Sequence, residues 1–186
     1  MYNFNRRFVI AGTLGTALAL TACAKQTPQE VNQGIDTRVD AALVNLYDTT
    51  PGARDLADKS VGMLVMPLIT EAGFGFGGSF GQGALRIQDV SVDYYSVIEG
   101  SFGAQIGAQQ FSYVLFFMTE EALAAFRQSS GLAAGADLKM TVMSDGEQVA
   151  ASTKTSLSPV VGVVFGRAGV IAGATIEGSV YQRLPQ

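Results

Sequence analysis

Three glycines in the stretch AGFGFGGSF, residues 72–80, have the spacing of a nucleotide-binding loop, Gly73-x-Gly75-x-x-Gly78. In a dinucleotide-binding fold the third glycine opens a helix, and the phosphate lies at the N-terminus of that helix. Here Gly78 is followed by more glycines and by no helical apolar period, so no helix is expected. The pattern predicts strand, turn and strand, with glycines that allow a sharp bend or the close approach of another backbone.

Histidine is absent from the chain, and this absence excludes several kinds of catalytic and metal site. Ser-His-Asp and Cys-His arrangements and His-ligated metals are impossible. The single cysteine also excludes an intramolecular disulfide and a cysteine-cluster metal site. The candidate carboxylates for an enzyme are Asp89, Asp93 and Glu99, but the sequence shows no pair held across a cleft. We therefore predict a non-enzymatic protein with no cofactor and no metal.

The N-terminus has the features of a bacterial lipoprotein signal, predicted over residues 1–22. Arg6 and Arg7 form a positive n-region, an apolar run follows over residues 8–20, and the segment ends in LTAC, residues 20–23. The run is too short for a comfortable membrane span, and LTAC resembles the lipobox in which Cys23 is acylated. The alternatives are an ordinary secretory signal with a chance cysteine, or an uncleaved anchor.

Lipidation of Cys23 would explain the lone cysteine and give stable membrane attachment. Ala24 replaces the aspartate that tends to retain lipoproteins at the inner membrane, so this resemblance predicts an outer-membrane lipoprotein that faces the periplasm or is surface-exposed. The general secretory route is favoured over the twin-arginine route because the arginine pair matches the twin-arginine motif only loosely.

Cleavage before Cys23 removes two arginines and no acid. The mature chain then has 12 − 2 = 10 basic and 16 acidic residues, a net charge of −6. This charge opposes binding to nucleic acid and general attraction to anionic bilayers. Contact with a lipid headgroup must therefore come from a local basic cluster.

A tether over residues 23–28 precedes one predicted domain over residues 29–186, which begins with a helix at Gln29–Tyr47. Its apolar residues share one face, at positions Val31, Ile35, Val39, Ala42, Leu43 and Leu46. The helix is predicted to pack on the domain core; the alternative is a membrane-surface helix, whose polar face would be richer in Lys and Arg. Thr50 and Pro51 predict the start of a second helix, and Thr119 that of a third.

Strands are predicted wherever the apolar period is two. They begin near Val61 and continue at Gly73–Phe80, Gly83–Gln88, Tyr94–Ser101, Ala104–Phe111, Tyr113–Met118, Leu138–Met143, Val160–Phe165 and Val170–Tyr181. The predicted fold class is α+β: a curved, Gly-rich antiparallel sheet, half-barrel or sandwich-like, covered by about three helices.

Four stretches together carry a resemblance to a known family. They are DLADKSVGMLVMPLITEAGFGFGGSFGQGALR (residues 55–86), GAQIGAQQFSYVLFFMTEEALAAF (103–126), GLAAGADLKMTV (131–142) and FGRAGVIAGATIEGSVYQRL (165–184). In their order and spacing they resemble the SYLF-domain family, the lipid-binding domain of bacterial envelope lipoproteins and of eukaryotic endocytic and actin-associated proteins. The resemblance implies binding of anionic membrane phospholipids, phosphoinositides in eukaryotic members, and no established catalytic activity.

The resemblance also directs attention to particular side chains. The candidate headgroup-binding residues are Arg38, Arg54, Lys59 and Arg86, whose alternative interpretation is scattered surface charge. The candidate acyl groove is formed by Phe74, Phe76 and Phe80, whose alternative interpretation is the core.

Three functions are thus distinguished: a lipid-binding lipoprotein, which is favoured; an envelope scaffold whose only membrane contact is the anchor; and an enzyme, the least favoured. A large apolar surface patch would favour the first.

Overall fold

The computed structural model describes residues 27–129, 140–143, 158–169 and 179–185, apart from the side chains at positions 74–76, 101–106 and 169. The predicted signal segment, Cys23 and part of the tether lie outside these residues. In chain order the elements are α1 (Pro28–Thr49), α2 (Ala53–Lys59), β1 (Gly62–Ile87), β2 (Val90–Phe117), α3 (Glu120–Gln128), β3 (Met140–Met143), β4 (Val160–Gly169) and β5 (Val180–Arg183).

Helix α1 is well specified at its N-terminus. Thr27 accepts a hydrogen bond from the backbone of Glu30, the Glu30 side chain accepts one from the backbone of Thr27, and Pro28 occupies the first turn. One face of the helix is buried, at Ile35, Val39, Ala42, Leu43 and Leu46. The predicted packing of this helix on the core is therefore confirmed.

The two shorter helices differ in how well the sequence predicted their starts. Thr119 caps α3 through its side chain, and two glutamates occupy the first turn, as predicted. The predicted start of α2 was wrong, because Gly52, with φ of 85°, is its N-cap and Pro51 lies in the preceding turn. Glycine adopts this left-handed conformation at little cost, and the chain can therefore turn sharply between α1 and α2.

Strands β1 and β2 form one antiparallel hairpin that runs from the pair Gly62–Phe117 to the pair Ile87–Val90. Gln88 and Asp89 make the connecting turn, with φ of 50° and 62°. The several short strands predicted within residues 61–118 were therefore wrong in number, since bulges rather than breaks interrupt the pairing. The nucleotide-loop signature lies within β1 and opens no helix, which agrees with its prediction as strand.

The remaining strands extend the far edge of β2. β4 pairs with its second half and β5 with residues 95–98, both antiparallel. β3 joins β4 in parallel, so the sheet is mixed and the prediction of an entirely antiparallel sheet was wrong for this pair. The α+β class, the curved sheet and, among the described residues, the three helices are confirmed.

The hairpin curls back on itself, and glycines permit the close approach. A Cβ added at Gly83 would lie 2.0 Å from the carbonyl oxygen of Val65, and one at Gly81 would lie 2.7 Å from that of Leu68. The second half of β1 therefore runs back over the first half, backbone close to backbone. This arrangement confirms the predicted structural role of the glycines.

The curled sheet has two apolar faces. The inner face carries one cluster, which includes Leu64, Leu85, Tyr95, Tyr113, Tyr181 and the buried residues of α3. The outer face carries a second cluster, which includes Val65, Ala84, Phe116, Phe165 and the buried residues of α1 and α2. Successive strand residues alternate between the two faces.

Candidate functional site

Three exposed apolar side chains lie side by side on the outer face, on three adjacent strands. Phe80 pairs with Ile98 across β1 and β2, and Ile98 pairs with Val180 across β2 and β5. Their exposed fractions are 53%, 56% and 42%. Directly paired residues of antiparallel strands point to the same face, so the three form one continuous strip, here called the apolar row.

The neighbouring residues leave the apolar row open. Toward the hairpin turn lies the polar set Gln82, Ser96 and Gln182, and beyond it Ala84 and Tyr94 pack against α1. On the other side lies the pair Gly78–Gly100, which has no side chains to cover the sheet. The row therefore begins where the cover of α1 has ended.

A partly buried carboxyl lies on the inner face, directly beneath the apolar row. The hydroxyls of Ser79 and Ser179 both donate to the carboxyl of Glu99, that of Ser79 over 2.9 Å. Ser79 and Ser179 are 5% and 0% exposed. These three residues, here called the carboxyl clamp, connect β1, β2 and the residue that precedes β5.

Burial raises the pKa of the Glu99 carboxyl from 4.5 to about 7. The hydroxyl of Ser79 opposes this shift because it favours the charged form, whereas the nearby carboxyl of Glu71 adds to it. At neutral pH, Glu99 is therefore divided between its charged and neutral forms.

Other polar groups lie around the carboxyl clamp on the inner face. The Gln109 amide donates to the Glu71 carboxyl over 2.6 Å, across β1 and β2. The hydroxyls of Tyr113 and Tyr181 lie 2.7 Å apart, and burial raises the pKa of both. The interior of the curled sheet is thus polar near its bend and apolar toward α3.

Of the predicted carboxylates, the structure places Asp93 and Glu99 on the inner face but in different surroundings. Asp93 lies 3.1 Å from the guanidinium of Arg127 on α3 and 3.5 Å from that of Arg183 on β5. Asp89 is exposed in the hairpin turn. The three do not form a catalytic pair across a cleft.

The four predicted headgroup residues lie on different elements. Arg38 is exposed on α1, Lys59 is exposed at the end of α2, and the Arg54 guanidinium lies 4.3 Å from the ring centre of Tyr47. Arg86 is largely buried, and its Nη2 lies 2.6 Å from the Asp40 carboxyl. Arg86 therefore joins β1 to α1, and a phosphate would have to displace Asp40 to reach it. The role of all four in headgroup binding stays a prediction.

The predicted acyl groove is represented by Phe80 alone, because the side chains of Phe74 and Phe76 lie outside the described residues. Phe80 belongs to the apolar row and not to the core. The other members of the row, Ile98 and Val180, were not predicted as site residues. The alternating pattern placed each in a strand, but their exposure depends on which part of the sheet α1 covers, which no local pattern reveals.

Among the described residues there is neither a cluster of metal-binding side chains nor a helix that could span a membrane. No group of three or more Asp, Glu, Cys or His side chains there could hold a metal ion. Within the same residues, no helix is both long enough and apolar enough to cross a membrane.

A protein-family model described as "Ysc84: Las17-binding protein actin regulator" matches residues 98–184. Over residues 98–184 this chain is similar to the Ysc84, or SYLF, family. This confirms the resemblance seen in the sequence, although the match begins later than residue 55, where that resemblance was first noted. Among curated proteins, no sequence matches the chain significantly. The matched segment contains Ile98, Glu99 and Val180, and the match is consistent with a lipid-binding or actin-associated function.

Proposed function

We propose that this protein is a non-enzymatic, lipid-binding lipoprotein of the bacterial cell envelope. Acylated Cys23 anchors it to the outer membrane, and the folded domain contacts anionic phospholipid. The apolar row carries the proposal, because contiguous exposed apolar side chains on a folded domain indicate a membrane or partner contact. The match of residues 98–184 to the SYLF family supports it independently.

The proposed anchor lies close to the domain. Thr27 already caps α1, so only a short tether separates Cys23 from the first helix. A short tether gives the domain a high effective concentration at the bilayer, so weak contacts suffice to hold it there. Because the mature chain is acidic, such contacts combine the uncharged apolar row with the exposed cations Arg38, Arg54 and Lys59.

A second candidate is an envelope scaffold whose anchor is its only lipid contact. The family description supports it, because that description names binding to a protein and regulation of actin. In this alternative, the apolar row would bind a protein partner and not acyl chains.

Vesicle co-sedimentation of the chain that starts at Ala24, which lacks the anchor, distinguishes the lipid-binding protein from the scaffold. We expect pelleting with vesicles that contain phosphatidylglycerol or cardiolipin, weaker pelleting with phosphatidylcholine alone, and a decrease as salt rises. Charge reversal at Arg38, Arg54, Lys59 and Arg86 would then locate the headgroup contact. No pelleting with any vesicle would contradict the proposal and favour the scaffold.

The contribution of the apolar row is tested by Ile98→Ser. Because one buried Ile side chain contributes about 1.5–3 kcal/mol, we expect vesicle affinity to fall by roughly tenfold or more. The matched control is Val90→Ser, since Val90 is 63% exposed but lies at the hairpin turn. Equal losses in the two variants would show that the row has no special part in binding.

A further inference from the structure

The apolar row and the carboxyl clamp are made from the same three stretches of backbone. Ser79 precedes Phe80, Glu99 follows Ile98, and Ser179 precedes Val180. Because neighbouring strand residues point to opposite faces, each exposed apolar side chain stands next to a member of the clamp, of which Ser79 and Ser179 are buried and Glu99 is partly buried. The position of the row therefore depends on the contacts that the clamp makes on the other side of the sheet.

The hydrogen bonds between Glu99 and the two serines differ between the two protonation states of Glu99. A carboxylate accepts from both seryl hydroxyls, whereas the neutral acid donates its own proton to one of them and accepts from the other. Both states can satisfy both serines. Only the carboxylate, however, places a charge in the interior beside the carboxyl of Glu71.

The titratable groups that face Glu99 come from three strands. They are Glu71 on β1, Tyr113 on β2 and Tyr181 on β5. Burial raises the pKa of both tyrosines, so they stay neutral near pH 7. Because the chain contains no histidine, no side chain of ordinary pKa titrates between pH 5.5 and 7.

We propose that Glu99 is a positioning residue for the apolar row, and that its protonation tightens β1, β2 and β5 and strengthens contact of the row with lipid. Loss of the proton leaves a charge in the interior, loosens the pairing of β5 with β2 and weakens that contact. This inference rests on the proposed function, because it assigns the apolar row to lipid.

The test uses the full chain in phosphatidylcholine vesicles, whose neutral surface removes general charge effects. Because the chain contains no tryptophan, Phe80→Trp places a single fluorescent reporter in the apolar row. Bromine on the lipid acyl chains quenches this emission on contact. In this background, we expect quenching to fall from pH 5.5 to 8.5 along a one-proton curve with its midpoint near pH 7.

Glu99→Gln in the reporter chain imitates the neutral carboxyl. We expect its quenching to stay at the low-pH level throughout, whereas the control Glu121→Gln, an exposed change on α3, keeps the original curve. The same curve in Glu99→Gln, or no pH dependence in the reporter chain, would overturn the inference and leave the proposed lipid contact standing. Absence of quenching at every pH, both in these vesicles and in ones that contain phosphatidylglycerol, would instead overturn the lipid contact itself, and the inference with it.

Hydrogen exchange in the unmodified full chain provides a measurement that depends on no variant. Above pH 7, we expect the backbone amides of β5 to lose protection relative to those of α1, after correction for intrinsic exchange rates. Unchanged relative protection of β5 across pH 7 would overturn the proposed loosening.

Discussion

Two acids on the inner face of β2 show how differently one sheet can surround a carboxyl that is removed from most of the solvent. Asp93 and Glu99 point to the same side of the strand, six positions apart. Asp93 meets the guanidinium groups of Arg127 and Arg183. Within the part of the chain that the structure describes, Glu99 accepts hydrogen bonds from the hydroxyls of Ser79 and Ser179, and a second acid lies nearby.

The two carboxyls differ in whether groups of opposite charge lie beside them. Two arginines balance the charge of Asp93, and this cluster joins α3 and β5 to the hairpin. Hydroxyls supply dipoles but no opposite charge, so burial raises the pKa of Glu99 into the neutral range. We therefore expect Asp93 to stabilise the fold through its two ion pairs, and Glu99 to make stability sensitive to pH near neutrality.

The largest effect on stability is expected when the two arginines that balance the charge of Asp93 are removed. In the double variant Arg127→Met/Arg183→Met, most of each aliphatic stem is kept, but the Asp93 side chain, 7% exposed, has lost both cations. Loss of the partners of a buried charge costs about 3–5 kcal/mol, so we expect a decrease of this size in the free energy of unfolding at pH 7. Chemical denaturation measures it.

A neutral residue at position 93 provides the control. Asp93→Asn added to the double variant should recover part of the lost stability, because it removes the unpaired charge. If the triple variant is no more stable than the double variant, the loss came from arginine packing, for example of Arg183 on the Tyr95 ring, and not from charge.

For Glu99 we expect the opposite change in stability: removal of its charge should stabilise the folded protein. In the unfolded chain Glu99 ionises near pH 4.5, but in the folded protein only near pH 7. The folded state therefore binds more protons at Glu99 between these values, so the contribution of Glu99 to stability is greatest below pH 4.5 and is lost as the pH rises through 7. Glu99→Gln removes this fall, and above pH 7 we expect it to stabilise the protein by about 3 kcal/mol.

Denaturation at pH 4 and pH 8 measures this difference. We expect the two proteins to differ little at pH 4, where Glu99 is protonated in both states. If Glu99→Gln is the less stable protein at pH 8, the folded protein stabilises the Glu99 carboxylate more than its burial indicates. The proposed difference between Glu99 and Asp93 would then be wrong.

The sequence predicted those parts of the fold that depend on local patterns. The capping residues Thr27 and Thr119 and the apolar face of α1 follow from residue type and spacing, and both helices formed as expected. The glycines of β1 predicted a bend or a close approach, and the backbone contact at Gly83 is such an approach. These features depend on residues that are near one another in the chain.

The surroundings of Asp93 and Glu99 depend on distant residues instead. Asp93 meets Arg127 and Arg183, and Glu99 meets Ser179, only after the hairpin has curled and β5 has paired with β2. A period of two placed both acids in strands, but it could not say which would meet a cation. For the same reason, Arg86 was predicted to bind a headgroup, whereas in the fold it meets Asp40.

The smallest predicted effect concerns Glu71, whose carboxyl raises the pKa of Glu99 less than burial does. Glu71→Gln keeps the cross-strand contact with Gln109 available and removes only the charge. We expect the pKa of Glu99, followed by the NMR shift of its side-chain carboxyl carbon, to fall, and the pH-dependent loss of stability to shrink by about 1 kcal/mol or less. An unchanged pKa would mean that burial and the two serines alone set the titration of Glu99. A fall to the ordinary glutamate value would mean that the neighbouring acid, and not burial, distinguishes Glu99 from Asp93.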